Sequence, residues 1–378
     1  MQVSNLKVLT GPAGVGKTTS LIEAAKSWPK NSAVLAYSRS AAEELSARGI
    51  SAPSGTIHSV TWPHVKLVAG VKVGGSRTRM DDDYKRRKIR DTTDLALSDW
   101  VRSAPGNSPQ NVLEQELLGW YPELGPAPEW LWTDPVPRGM SHSVALARWL
   151  DKGAPMNENE GLKELEFLAI DEAQDVSALE LAAALKLVSH SGTALAVGDP
   201  GQAIFQGHKG GEESELPPAW VWASESDILE KGYRCGYPVA DAAAEVLRPY
   251  FEIPPEAFRA AHETTIHLWD PETHRPMTGL VLGHSRLKVE ETAKRWDLTN
   301  FSVTPATTQE GGLNLSTIHA AKGTQAEDVY LLPWSAKMMN KLRDDAPGCI
   351  KLLYVAMTRA SRRLFLPMEM RLWLPGGF

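Results

Sequence analysis

The stretch Gly11-Pro12-Ala13-Gly14-Val15-Gly16-Lys17-Thr18 constrains this chain more than any other. It fits G-x-x-x-x-G-K-[ST], and its context is the one the motif needs: residues 6–9 read as a strand and residues 18–28 as a helix. Glycines let backbone N–H groups curl around a β-phosphate, Lys17 can reach β/γ oxygens, and the Thr18 hydroxyl at the helix N-terminus can ligate Mg²⁺. The bland alternative, a glycine-rich turn with no ligand, does not require this strand and helix around it.

The rhythm around the loop is that of a parallel α/β sheet, with a second strand at 33–37 and a helix at 40–48 stopped by Gly49. It breaks after His58. From 62 to 160 prolines and tryptophans recur without helical or strand period, which predicts an inserted, mostly helical and loop-rich subdomain. Strands return at 166–170 and 194–197, separated by a helix at 178–189. A third block from 229 alternates strands at 265–269, 279–283, 313–317 and 328–332 with helices at 239–247, 287–296 and 349–360. The predicted division is a first α/β domain at 1–61 with 161–228, the insertion at 62–160, and a second α/β domain at 229–378.

Asp171 and Glu172 close the apolar strand at 166–170. A carboxylate there can hold Mg²⁺ and the next can orient and deprotonate an attacking water. Alone, Asp-Glu after a strand is as readily a helix cap. Paired with the phosphate loop it points to hydrolysis of a nucleoside triphosphate.

Composition narrows the partners. A net charge of −6 argues against coating nucleic acid through bulk positive potential, and leaves room for a local basic groove. The basic run from Lys85 to Arg90 is flanked by Asp81, Asp82, Asp83 and Asp91, so it reads as a solvated helix face. The two cysteines, Cys235 and Cys349, form neither a C-x-x-C pair nor a disulfide framework. Without an eighteen-residue apolar run or a signal-peptide layout, the expectation is a soluble cytoplasmic protein with no membrane partner, in the host cytoplasm if phage-encoded.

Further along, Thr56-Ile57-His58-Ser59, Asp171-Glu172-Ala173-Gln174-Asp175, Gly198-Asp199-Pro200-Gly201-Gln202-Ala203-Ile204-Phe205 and Gly232-Tyr233-Arg234 follow in order. Ser316-Thr317-Ile318-His319-Ala320-Ala321-Lys322-Gly323 and Leu353-Tyr354-Val355-Ala356-Met357-Thr358-Arg359-Ala360 complete the series. Together with the phosphate loop this resembles the motif series of UvrD/Rep-like superfamily 1 DNA helicases. The resemblance implies two RecA-like domains and an ATP hydrolase moving on single-stranded DNA, with junctions between single and double strands as further partners. The polarity it implies is 3′→5′. A second reading stays open, an ATP-gated clamp on single-stranded nucleic acid that does not travel.

Carried over by position, the resemblance implies catalytic roles for Lys17, Glu172, Gln202, Arg234 and Arg359. ATP would be bound by Gly11, Gly14, Val15, Gly16, Lys17, Thr18 and Thr19 with Gln202, Arg234, Gln325 and Arg359, and Mg²⁺ by Thr18 and Asp171. Gln202 would sense the γ-phosphate, with Arg234 and Arg359 reaching it from the second domain. For nucleic acid it points to Ser38, Arg39, Thr56, His58, Phe205, His208, Thr317 and His319, although Phe205 reads equally well as core. There are also departures from the pattern. The ten residues before Gly11 leave no room for the family's upstream glutamine motif, and Thr324-Gln325 stands where leucine-glutamate is usual, so selection of adenine is expected to be loose. About eighty residues separate Arg234 from Thr317, roughly what the second sheet itself needs, so the family's large accessory insertion is expected to be missing.

Overall fold

A computed structural model describes residues 3–69, 164–204, 216–229, 233–248, 259–298, 312–344 and 346–373. Most of the predicted insertion, from residue 70 on, lies outside them, as do Phe205 and His208. The chain divides into two compact units: Met1–Val8, Thr18–Val197 and Gln206–Ser226 make the first, and Leu9–Lys17, Gly198–Phe205 and Asp227–Phe378 the second. The fold is α/β, and every strand pair given a register below is parallel.

The first sheet is six-stranded, built from β1 (Val3–Thr10), β2 (Ser32–Ala36), β3 (Ser54–Thr56), β4 (Leu165–Asp171), β5 (Val188–Gly198) and β6 (Ala223–Ile228), in the order β3-β2-β4-β5-β1-β6. Pairs β2–β3, β2–β4 and β4–β5 are parallel. All five residues of β2 are buried. That fits a strand covered on both faces, which needs a continuous apolar run and not alternation. Helices α1 (Lys17–Ala25), α2 (Arg39–Ala47), α3 (Ile57–Ala69), α4 (Ala178–Leu185) and α5 (Pro218–Trp222) follow the strands. Each has a local cause. Ser38 caps α2 by accepting from Ala41 N, and Ser177 with Glu180 forms a capping box on α4, where losing the serine would cost about 1 kcal/mol. Leu6, Leu35, Leu168, Ile170 and Leu181 fill the core, and truncating one to alanine would cost about 2–5 kcal/mol.

Helix α3 corrects one expectation. The α/β rhythm does not stop after His58, because α3 runs through Trp62 and Pro63 to Ala69. Trp62 packs against the first core, which supplies the contact that offsets an interior proline's lost hydrogen bond.

In the second unit a five-stranded sheet has the order β11-β10-β12-β13-β9, from β9 (Thr265–Trp269), β10 (Gly279–Gly283), β11 (Leu313–Thr317), β12 (Ala326–Leu331) and β13 (Ala360–Pro367). All four neighbouring pairs are parallel. A two-stranded parallel pair, β7 (Cys235–Tyr237) and β8 (Arg259–Glu263), stands apart. Helices α6 (Val239–Leu247), α7 (Arg286–Arg295), α8 (Ala336–Arg343) and α9 (Pro347–Met357) complete the unit. Helix α9 is buried from Cys349 to Met357, on every face, so it is an interior helix with no solvent stripe. The helix expected over 349–360 therefore ends early. Thr358 is its C-cap, and Ala360 begins β13, whose buried Leu364 and Leu366 show a strand's period of two. At Gly279 φ is +107°, and a Cβ would meet the Asp328 carbonyl oxygen at 2.8 Å, so the position requires glycine.

Candidate nucleotide site

The phosphate loop is shaped by its glycines. Gly14 and Gly16 have φ of +78° and +83°, and a Cβ on Gly14 would sit 2.1 Å from Cβ of Arg234. The loop is tied to its surroundings by backbone bonds, Gly11 N to Gly198 O at 2.9 Å and Tyr233 N to Gly14 O at 3.0 Å. Lys17 is 8% exposed and its Nζ donates to Gly11 O at 2.8 Å and Pro12 O at 3.2 Å. The ammonium is thus held over the loop by carbonyls of the loop itself, acceptors weaker than phosphate oxygens.

In the same unit a 3₁₀ turn, Pro200–Gln202, follows Asp199. Asp199 is fully buried and caps the turn, with Oδ1 accepting from Gly201 N at 3.0 Å and Oδ2 from Gln202 Nε2 at 2.7 Å. Gln202 Oε1 accepts from Arg359 NH2 at 3.1 Å. Arg359 is 1% exposed, and its other donors reach Val355 O at 2.9 Å, Thr324 O at 3.1 Å and Thr358 Oγ1 at 3.2 Å. Arg234 donates from Nε to Gln325 Oε1 at 2.9 Å and from NH1 to Thr358 O at 3.4 Å. Both guanidiniums therefore converge on Thr358, one on its hydroxyl and one on its carbonyl. Cys235 lies beside them. Burial pushes its thiol up to about 11, with the charges of Arg234 and Arg359 pulling the other way.

In the first unit, Asp171 ends β4 and its Oδ2 accepts from Thr18 Oγ1 at 3.0 Å, while Oδ1 accepts from Glu172 N at 3.0 Å. Glu172 has φ 53° and ψ 37°, left-handed backbone that a non-glycine residue adopts at a cost of about 1–3 kcal/mol. Its Oε2 accepts from the buried amide Gln174 Nε2 at 2.6 Å. Thr18 and Asp171 supply a hydroxyl and a carboxylate oxygen side by side, a donor set that fits Mg²⁺, which takes oxygen ligands and binds through one or two carboxylates with substrate phosphates. Among the described residues no group of three or more His, Cys, Asp or Glu comes together as a metal cluster. Thr19 is exposed and accepts from Arg48 NH2 at 2.6 Å.

The residues expected to hold nucleic acid have local roles as well. Ser38 Oγ caps α2, Thr56 Oγ1 accepts from Ser59 N at 3.2 Å, and Thr317 Oγ1 accepts from Ala320 N at 3.1 Å. Arg39 is exposed and pairs with Glu43 at 3.2 Å. His58 Nε2 lies 2.9 Å from Glu180 Oε1, the carboxylate that also closes the capping box of α4. His319 sits half-buried in the turn after β11.

Four residues that the motif reading quoted without assigning a role also gather at the loop and its neighbours. Tyr354 OH accepts from Ala13 N at 3.2 Å and donates to Asp199 Oδ2 at 2.6 Å. Lys322 Nζ donates to Gln202 O at 2.7 Å. Tyr233 is 60% exposed, and its ring lies 3.7 Å from where a Cβ on Gly16 would be. Asp199 Oδ2 accepts from both Tyr354 OH and Gln202 Nε2. Its signal in the sequence is a lone aspartate before proline, which reads simply as a turn.

A loop that only glycine can trace, leading straight into a hydroxyl bonded to a strand-end aspartate, is the construction of phosphate-loop proteins, and this chain is one of that class. The AAA domain family matches residues 2–208, more than half of the chain, and the chain belongs to that family. No curated protein matches it in sequence. Among solved structures it is similar to arterivirus nonstructural protein 10, a helicase, at 15% identity and a TM-score of 0.48, over 98% of this chain and 62% of that one. The same viral protein in complex with DNA gives 16% and 0.46, over 97% and 63%. The PRRSV helicase gives 13% and 0.43, over 97% and 52%. The chain thus spans less than two thirds of the length of each. Among the described residues no helix is long and apolar enough to cross a membrane.

Proposed function

We propose that the chain hydrolyses ATP to drive movement along single-stranded DNA, as a superfamily 1 helicase or translocase of the UvrD/Rep type running 3′→5′. The observation that carries this reading is the bond from Arg359 NH2 to Gln202 Oε1, 3.1 Å long between residues 157 apart, in the compact unit that also holds Leu9–Lys17. A residue expected to sense the γ-phosphate and an arginine expected to neutralise it are in direct contact, so displacement of either is felt by the other.

In this reading the backbone N–H groups of the loop and Lys17 bind the phosphates. Glu172, oriented by Gln174, accepts the proton of the attacking water. Arg234 and Arg359 stabilise charge on the transferring phosphoryl group, a contribution worth about 10³–10⁵ in rate for arginine fingers. Thr18 and Asp171 would hold Mg²⁺, which would supply neutralisation of phosphate charge. The hydroxyls of Ser38, Thr56 and Thr317 keep lone pairs beyond their turn bonds and can accept further, and Arg39 is an exposed donor for a phosphate track.

The test is ATP turnover with and without single-stranded DNA across a salt series, followed by strand displacement on duplexes with a 3′ or a 5′ tail. Stimulation that weakens with salt, and displacement from the 3′ tail, are expected. Turnover indifferent to DNA would sink the motor, and unwinding only from the 5′ tail would reverse the polarity.

A further inference from the structure

Tyr354 has no exposed surface, although it carries a hydroxyl on an otherwise apolar stretch of α9. That hydroxyl is used in both directions. It accepts from Ala13 N in the phosphate loop at 3.2 Å and donates to Asp199 Oδ2 at 2.6 Å, across 155 residues. Asp199 is acceptor-only when ionised, so the end of Gln202 that faces it at 2.7 Å must be the NH₂ group. The other end of the amide is then necessarily the carbonyl oxygen, and it is this oxygen that accepts from Arg359. The direction of the Gln202 amide follows from Asp199, and the orientation of Asp199 follows in part from Tyr354.

We propose that Tyr354 is a positioning residue for nucleotide hydrolysis, linking the phosphate loop at Ala13 through Asp199 to the amide of Gln202 and so to Arg359. The inference rests on the hydrolytic reading given above and adds a residue to it. Two further observations support it. The ring is wedged against the turn it controls, since a Cβ on Gly201 would lie 2.9 Å from Tyr354 Cε1. Burial first, and then the charge of Asp199, hold the phenol well above its ordinary pKa. The phenol is consequently kept in its protonated, donating form.

Tyr354→Phe removes the hydroxyl and keeps the ring that fills the space beside Gly201. With saturating ATP and single-stranded DNA, kcat is expected to fall about tenfold or more, within the roughly hundredfold that small misplacement of a catalytic group can cost. KM for ATP should change less than about twofold, because Lys17 and the loop glycines are untouched. In a Gln202→Ala background the same substitution should add no further loss, since the amide it positions is gone. Asp199→Asn serves as the second variant, with the same expected split and no added effect when combined with Tyr354→Phe. An unchanged kcat in Tyr354→Phe, or a loss that multiplies fully with that of Gln202→Ala, overturns the proposal while leaving hydrolysis intact. A wild-type protein without any turnover would overturn the hydrolytic reading itself, and this proposal with it.

Discussion

Arg234 donates from Nε to Oε1 of Gln325 at 2.9 Å, an arginine expected to face phosphate held by a neutral amide. Its NH1 also reaches the Thr358 carbonyl, where Arg359 binds the hydroxyl of the same residue. A neutral partner matters, because a guanidinium that must turn toward an arriving phosphate should not already be bound to a carboxylate.

Gln325→Glu would convert this contact into an ion pair. Because Gln325 is exposed, the pair should be worth only about 0.2–1 kcal/mol. That still corresponds to a rise in KM for ATP of up to about fivefold, from a better-held Arg234 and from added negative charge facing the nucleotide. Steady-state kinetics at low salt would read it. A KM that stays level or falls would show that Gln325 plays no part in presenting Arg234.

Lys17→Ala and Glu172→Gln should both lower turnover by at least about a hundredfold, for different reasons. On the proposed reading Lys17 contacts ground-state phosphates, so its loss should also weaken ATP binding. Glu172 would act on water, and its contact with Gln174 Nε2 uses an oxygen that glutamine retains, so Glu172→Gln should still bind ATP. Equilibrium binding of a fluorescent ATP analogue separates the two. Equal loss of affinity in both variants would remove Glu172 from the role of base.

Much of this fold is legible in the sequence, and the parts that are not share a physical cause. Strands at 265–269, 279–283 and 313–317 agree with β9, β10 and β11 because buried parallel strands leave short apolar runs bounded by turns. Strand β6 left no such trace, since Ala-Ser-Glu-Ser-Asp-Ile is exposed along nearly its whole length. The helix expected over 349–360 ran two residues past the Thr358 cap because no glycine or proline marks the end of α9, and β13 beyond it was not expected. In the candidate site, Gln202 and Arg359, singled out by motif position, lie in direct contact. The Tyr354–Asp199 bond was not legible, because a hydroxyl and a carboxylate 155 residues apart obey no local period. Ser38, Thr56 and Thr317 show the reverse, hydroxyls singled out for a ligand that also serve as caps and turn acceptors.

Tyr233 yields a prediction about nucleotide selectivity. Its ring is 60% exposed beside Gly16, and its backbone N–H is anchored to Gly14 O at 3.0 Å. An aromatic face beside the phosphate loop can stack on any base, at about 1–3 kcal/mol by the measure of single-strand binding proteins. Tyr233→Ala should therefore weaken ATP and GTP alike, by about tenfold, while Tyr233→Phe should behave as wild type. Competition between the two nucleotides in each variant decides it. A loss confined to ATP would show that the ring takes part in reading adenine and does not merely stack.

His284 follows β10, with its ring 6.2 Å from that of Trp334, and its Nδ1 is buried without a hydrogen-bond partner among the described residues. Burial first, then the nearby charge of Lys288, lowers its pKa below the ordinary value. The unfolded chain binds a proton here near pH 6.5, whereas the folded protein resists it, so the unfolded state gains protons first as the pH drops. The stability this histidine contributes is present above that pH and is lost as the pH falls through the window between the two values. Glutamine cannot titrate, and His284→Gln should escape that loss. Urea unfolding at pH 7.5 and pH 5.5 would compare the two proteins, with the variant gaining on the wild type at the lower pH. If instead the wild type gains on the variant as the pH falls, the histidine is charged in the folded state and pairs with an anion there.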